Sequence, residues 1–404
     1  MRALLHHRDG RVYLVGQCLS VAGTSALWLA TAIWTKMLTG SDSAAGLIFL
    51  AYVCGAMLAP VCGVLADRTR RRPLLIAANL GVAAWVCLLL LVDGEGQLWL
   101  IYLVMFGYGA AGGLINAAQT ALLAVILPDE LLGEANALLQ MAEVGLRVVT
   151  PLAGAGLLVW IGPEPVILLD AATFVVAGLT VIAIRPDEPR PSPRTEGRLD
   201  EFTAGIRHIG RTPALRRLAG AAVTVLLAFG FFQSVLFAVV GEGLHRTPSF
   251  MGVLEAVMGV GALTGGLLAA PAMRRTSERA LVMISLAIGA AACALLTSGV
   301  LPLVLAAMAL SGLCIVWVNV GVYTLIQRRT PKDLLGRVDA ALGMAILIPQ
   351  ALSIAVGAAL VAVIDYRVLL LAMSATFLLA AAQLRTPDPS PVPVDTPLTP
   401  EDAR

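Results

Sequence analysis

GVLADRTRRRP, Gly63 to Pro73, separates two apolar runs, 44–66 and 73–92, each long enough to cross a bilayer. An aspartate followed by an arginine cluster is costly beside hydrocarbon, so Asp67 needs partners. Arg68, Arg71 and Arg72 are within reach along the chain, and the N-terminal end of a neighbouring helix also favours negative charge. Gly63 permits close helix approach.

The composition around this loop is that of a membrane protein. Hydrophobic residues make up 58% of the 404 and charged residues 13%. The mean hydropathy is +0.86. A soluble domain carries about twice that charged fraction. The six cysteines, Cys18, Cys54, Cys62, Cys87, Cys293 and Cys314, all fall inside apolar runs without CxxC spacing. They read as small buried hydrophobes rather than disulfides or metal ligands. The short basic stretch Met1–Arg11 lacks a signal-peptide cleavage pattern, so the first span is expected to be retained.

Twelve spans follow: 12–38, 44–66, 73–92, 98–127, 136–160, 165–184, 216–240, 249–272, 279–298, 300–326, 337–363 and 365–384. The segment 185–215 is a polar linker between an N-terminal six-helix unit, 1–184, and a C-terminal one, 216–385. The Pro-rich tail 386–404 has the composition of a disordered segment. With both termini cytoplasmic, inside segments hold 24 Lys and Arg against three outside, Lys36, Arg246 and Arg367, with Arg147 inside a span. That asymmetry sets the orientation. Trp34, Trp99 and Trp160 are then expected at the outer interface.

A shift of 203 residues lays one half on the other. LPDELLGEANAL (127–138) falls on TPKDLLGRVDAAL (330–342), Asn116 on Asn319, Gly63 on Gly266, Gly154 on Gly357, and the run Asp170–Phe174 on Met373–Phe377. This is a parallel duplication of six plus six helices, not an inverted one.

Taken together, the loop (Gly63, Ala66-Asp67-Arg68, Arg71-Arg72) and the duplication resemble the major facilitator superfamily over about 15–385. LPDELLGEANAL and FTAGIRHIGRTPALRRL resemble its subgroup of macrolide-efflux and siderophore-export proteins. The resemblance implies an all-α polytopic fold with 12 transmembrane helices in two pseudo-symmetric bundles, and a proton-driven exporter in the inner membrane. It implies that Gly63, Asp67, Arg68, Arg71 and Arg72 form a latch braced against the start of helix 11 near Gly336-Arg337. A static topology anchor is the competing reading of those residues. The second-half copy has Ala270 where the aspartate would stand.

Four further groups carry candidate chemistry. Glu143 and Arg147 lie one turn apart on helix 5, as a proton-binding carboxylate with its partner or as a permanent internal ion pair. Asp170 and Glu255 are carboxylates inside spans, each a proton or cation site; Asp170 leans towards structure. Thr150, Pro151 and Gly154 resemble the GPxxGG exporter motif of helix 5, with Thr150 and Ala155 departing from it, and suit close packing and a kink. In the resembled fold, helices 1, 4, 7 and 10 line the cavity. Its candidates are Gln17, Thr24 and Trp28; Asn116 and Gln119; Phe229, Phe232 and Gln233; and Trp317, Asn319 and Tyr323. Each is equally readable as glue between helices. So few polar groups suit a greasy or amphipathic cargo.

No P-loop, HExxH, GxSxG or Asp-rich prenyltransferase motif occurs, so no catalytic residue, metal site or cofactor is expected, and the resemblance implies a proton gradient as the energy source. The expected partners are a small molecule and the bilayer, without nucleic acid, and the chain is expected to act as a monomer. The alternatives are an importer or facilitator on the same fold, and a non-transporting membrane receptor.

Overall fold

A helix satisfies its own backbone inside hydrocarbon, so consecutive apolar blocks stack as helices. The computed structural model shows this arrangement and describes residues 8–59, 61–62, 65, 69–184, 220, 224, 230–329 and 349–384. Among these there are twelve helices and no strand. The first half comprises α1 (Arg8–Thr39), α2 (Asp42–Ala56), α3 (Arg71–Val86), α4 (Leu98–Ile126), α5 (Asp129–Ile161) and α6 (Pro163–Ala183). In the second half are α7 (Gly230–Gly243), α8 (Met251–Arg275), α9 (Glu278–Leu296), α10 (Leu301–Arg329), α11 (Pro349–Leu360) and α12 (Tyr366–Gln383). Eight are long and apolar enough to span a membrane unaided; α2, α7, α11 and the apolar part of α5 are shorter.

Local chemistry sets several ends. Ser41 caps α2 by accepting from the Ala44 amide at 3.2 Å, and Lys36 pairs with Asp42 at 2.8 Å to close the α1–α2 turn. α2 ends at Ala56 in a turn at 57–58, after which residues 59, 61, 62 and 65 are again helical, so the expected span 44–66 is interrupted rather than shortened. α5 starts at Asp129 rather than 136, so LPDELLGEANAL supplies its first turns.

Within each bundle, α1 packs on α5 and α6, α2 on α4 and α3 on α6; α8 and α9 pack on α10, and α9 on α12. Paired glycines make the α2–α4 and α8–α10 crossings. A Cβ on Gly55 would collide with the Phe106 carbonyl, and one on Gly109 with that of Tyr52. The same reciprocal contact recurs between Gly261 and Ala309 and between Gly312 and Met258. Backbones meet directly at these points, as they can only where side chains are absent.

These contacts refine the internal repeat. Gly109 and Gly312 are 203 apart, as the sequence shift demands, but Gly55 and Gly261 are 206 apart. Buried Asn79, donating to the Leu75 carbonyl, likewise answers to Ser285, donating to that of Leu281. The α2–α3 and α8–α9 pairs have therefore slipped three residues from the sequence register that aligned Gly63 with Gly266. The α7–α8 connection is longer than the α1–α2 turn, and the α9–α10 connection is shorter than the α3–α4 one.

Arg72 donates to the Val181 and Ile182 carbonyls at 3.2 and 2.8 Å, and Arg279 donates to Leu384. Both arginines thus close the C-terminal ends of the last helices of their bundles, where the backbone carries partial negative charge. Trp99 and Trp160 are exposed at the end opposite the chain termini, where a headgroup belt is expected. Trp34 is at that end too but is buried, so it belongs to the core and not to the belt.

Gly63, Asp67, Arg68, Phe229, the segment Gly336-Arg337, the linker 185–215 and the tail 386–404 lie outside the described residues, as do the side chains of Arg147 and Tyr323. Filling a backbone-to-backbone crossing should cost about 1–3 kcal/mol. Thermal unfolding of the purified protein should accordingly show Gly109→Leu and Gly312→Leu melting several degrees lower, while Gly81→Leu, which meets nothing, stays near wild type.

Candidate functional site

Polar side chains recur along α1 at helical spacing and find partners on α4. Tyr13 donates to the Gln119 carbonyl at 3.2 Å, and the Gln119 amide donates to Gln17 at 2.5 Å. Higher up, the Tyr108 hydroxyl lies 3.0 Å from Thr24 Oγ1 and 3.2 and 3.1 Å from the two Asp170 oxygens. Asp170 on α6 is completely buried. Gly23 makes this possible: a Cβ there would lie 2.7 Å from Asp170 Oδ1.

A proton count describes the cluster. Thr24 donates to the Ser20 carbonyl at 2.8 Å, so its oxygen is left to accept. Tyr108 has one proton for two neighbours. When the Asp170 carboxyl carries a proton, the chain Asp170–Tyr108–Thr24–Ser20 closes with every group satisfied. Around it, Trp28 meets Phe49 and Tyr52 at ring distances of 5.0 and 4.4 Å, and Tyr108 meets Phe174 edge-on at 5.7 Å. Asp170 is therefore enclosed within the first bundle. At the repeat positions of Asp170 and Tyr108 the second half has Met373 and Ser311, so the cluster has no twin.

The second half has its own carboxyl. Glu255 on α8 is half-buried and accepts a hydrogen bond from the Gln233 side chain on α7. Gln233 Oε1 is buried without a partner, as is the hydroxyl of neighbouring Ser234, which faces Gly46 of α2. One turn before Glu255, Gly252 packs against Pro151, Leu152 and Ala155 of α5. Ser43 on α2 donates to the Ala358 carbonyl on α11. Glu255 and Gln233 thus stand where the two bundles meet, at the end opposite the termini.

The helix-5 residues bridge both sides. Thr150 donates to its own helix at Leu146, Pro151 is buried, and Gly154 lies against the Ala26 backbone of α1, one residue from the contact with α8. Of the other sequence candidates, Trp317 donates to the Gly265 carbonyl at 2.9 Å, binding α10 to α8. Phe232 is buried, Asn116 and Asn319 are both exposed, and Glu143 is half-buried and engaged with a neighbour. Arg71 opens α3. Among the described residues no group of three or more His, Cys, Asp or Glu could hold a metal. Sequence reasoning passed over Tyr108, Tyr13 and Ser234. The four glycines around Tyr108 (107, 109, 112 and 113) were the available signal that its hydroxyl lies close to other helices.

Removing the hydroxyl that accepts from the buried Asp170 carboxyl and donates to Thr24 leaves both unsatisfied, at about 1–3 kcal/mol. Tyr108→Phe should therefore melt well below wild type. Asp170→Asn, which keeps a donor for Tyr108, should cost far less. Equal losses in the two variants would contradict the proton count.

A model described as Major Facilitator Superfamily matches residues 13–241 and 218–403. The chain is 27% identical to macrolide efflux protein A of Streptococcus pyogenes over 81% of this chain and 83% of that one. It is also 27% identical to the enterobactin exporter EntS of Shigella flexneri, over 82% and 80%. Crystal structures of a bacterial homologue of the iron transporter ferroportin share the fold. The inward-facing one has a TM-score of 0.72 at 14% identity, covering 93% of this chain and 98% of the other. The outward-facing one has a TM-score of 0.62 at 15% identity, with the same coverage.

Proposed function

The chain belongs to the major facilitator superfamily, and we propose that it is a secondary exporter of a hydrophobic or amphipathic small molecule, working by alternating access. The observation that carries this reading is the seam at one end of the molecule. There α2 meets α7 and α11, α5 meets α8, and residues 248–250 of the α7–α8 connection reach α1 and α5. The higher similarity to an inward-facing than to an outward-facing structure supports a state open towards the termini.

Direction draws on two further supports. The efflux relatives run along most of the chain. The basic residues cluster on the side of the termini, which makes that side cytoplasmic and the seam an outer gate, in the plasma (inner) membrane. In this reading cargo enters from the cytoplasm or inner leaflet, and the bundles rock to break the seam.

Proton antiport supplies the energy. A carboxyl on the moving surfaces binds a proton in the outward state and releases it inward, and the membrane potential adds about 2.3 kcal/mol per charge per 100 mV. Glu143 on α5 and Glu255 on α8 lie on the two helices that slide at the seam. Both halves of the cycle require Ser43 to leave Ala358. A disulfide between Ser43→Cys and Ala358→Cys, in a chain freed of its six native cysteines, should therefore abolish efflux from cells lacking other pumps, with recovery on reduction. Efflux that continues with the bond formed contradicts the gate.

A further inference from the structure

We infer that Ser234 is a positioning residue of the transport cycle: its hydroxyl goes unbonded while the seam is shut, and water reaching it favours the state in which the seam is open. The inference rests on the carrier reading above and gives its seam a built-in bias towards opening.

A serine inside an apolar helix can turn its hydroxyl back onto its own backbone. Ser285 does so, donating to the Leu281 carbonyl at 2.7 Å, and Ser311 donates to that of Ala307 at 2.9 Å. Thr31 of α1, 203 residues before Ser234, donates to the Leu27 carbonyl at 3.0 Å. Ser234 is fully buried, and its hydroxyl has no partner. It lies against α2 of the other bundle, where a Cβ on Gly46 would collide with it. A glycine within a helix has no side chain to bond it. The preceding residue adds to the deficit, because Gln233 gives its amide to Glu255 while its own oxygen is buried and unpaired.

The cost of such a hydroxyl differs between the two states of the cycle. With the seam shut, α2 keeps water from it, and a buried group without a partner disfavours that state by a factor of about 5 to 100. When the bundles part, Gly46 withdraws and water supplies the missing bonds. Ser43 acts in the opposite sense, since closing gives it the Ala358 carbonyl. Two serines, one on α2 and one on α7, thus bias the same seam in opposite directions.

The test measures opening in the full chain, purified into lipid nanodiscs and freed of its six native cysteines. A reporter thiol, Ala358→Cys, replaces an alanine that is 2% exposed and bonded through its carbonyl to Ser43. A water-soluble maleimide at low concentration reaches it only when the seam parts, at a rate proportional to the open fraction. Ser234→Ala should slow the reaction at least about fivefold without lowering the melting temperature. Ser285→Ala, whose hydroxyl is bonded inside α9, should leave the rate unchanged. A Ser234→Ala protein that reacts as fast as its parent overturns the proposal. So does one that melts well below the parent, because that loss means the hydroxyl had a partner. A parent thiol as reactive as in the unfolded chain also overturns it, since no shut seam then exists. Equal rates in parent and Ser234→Ala leave the exporter reading standing, whereas a thiol that never reacts in any variant means that the seam does not part, and both readings fall.

Discussion

A polar atom inside hydrocarbon has to find its partner within the protein, and the two halves of this chain meet that demand differently. In the first bundle the buried carboxyl meets it in a closed network, although Thr35 Oγ1 and Asn79 Oδ1 are buried without a partner. Asp170, Tyr108, Thr24 and Ser20 form a closed chain across α6, α4 and α1, and Gly23 lets the helices approach closely enough to make it. In the second bundle it is met only in part: Gln233 satisfies Glu255 with one end and leaves the other unpaired. A saturated network locks packing, while an unsaturated one at a seam can change partners.

Mechanical stability and mobility are separated in the same way. Within each bundle, glycine-to-backbone crossings bind α2 to α4 and α8 to α10 at distances no side chain allows. Between bundles the contacts include small-residue surfaces, Gly46 on Ser234 and Gly252 on Ala155, and the hydrogen bond of Ser43 to Ala358. Rigid units joined by a thin, mostly apolar seam rock more easily than they deform.

Much of this was legible in the residue order. Apolar blocks of bilayer length with polar breaks gave the twelve helices, and the repeat gave the two bundles. Gln17, Gln119, Thr24, Gln233 and Glu255 were recognisable as polar groups out of place in spans, but not as pairs. Glu255 and Gln233 come together only because α7 and α8 pack side by side at the seam. Tyr108 escaped notice because a tyrosine in a membrane helix looks like any other large side chain until its hydroxyl has a partner. The three-residue slip of α2–α3 against α8–α9 was hidden because a lengthened connection and a shortened one restore the 203-residue register by α10. Arg72 read as part of the Asp67 loop; its contact with the end of α6 depends on how α3 lies against α6. Trp34 read as a belt residue because depth is visible in a sequence, but the face of a helix is not.

Two rigid bundles that exchange openings across one seam make a claim about distances. The direct measurement is pulsed electron–electron spectroscopy on spin-labelled protein in lipid nanodiscs. One label pair spans the bundles at the seam end, Glu95 with Val300, and the other spans them at the terminal end, Arg8 with Arg275; all four residues are exposed. Recorded across a range of pH, every population that lengthens the first distance should shorten the second. Two distances that move in the same sense, or that stay fixed under every condition, would contradict it.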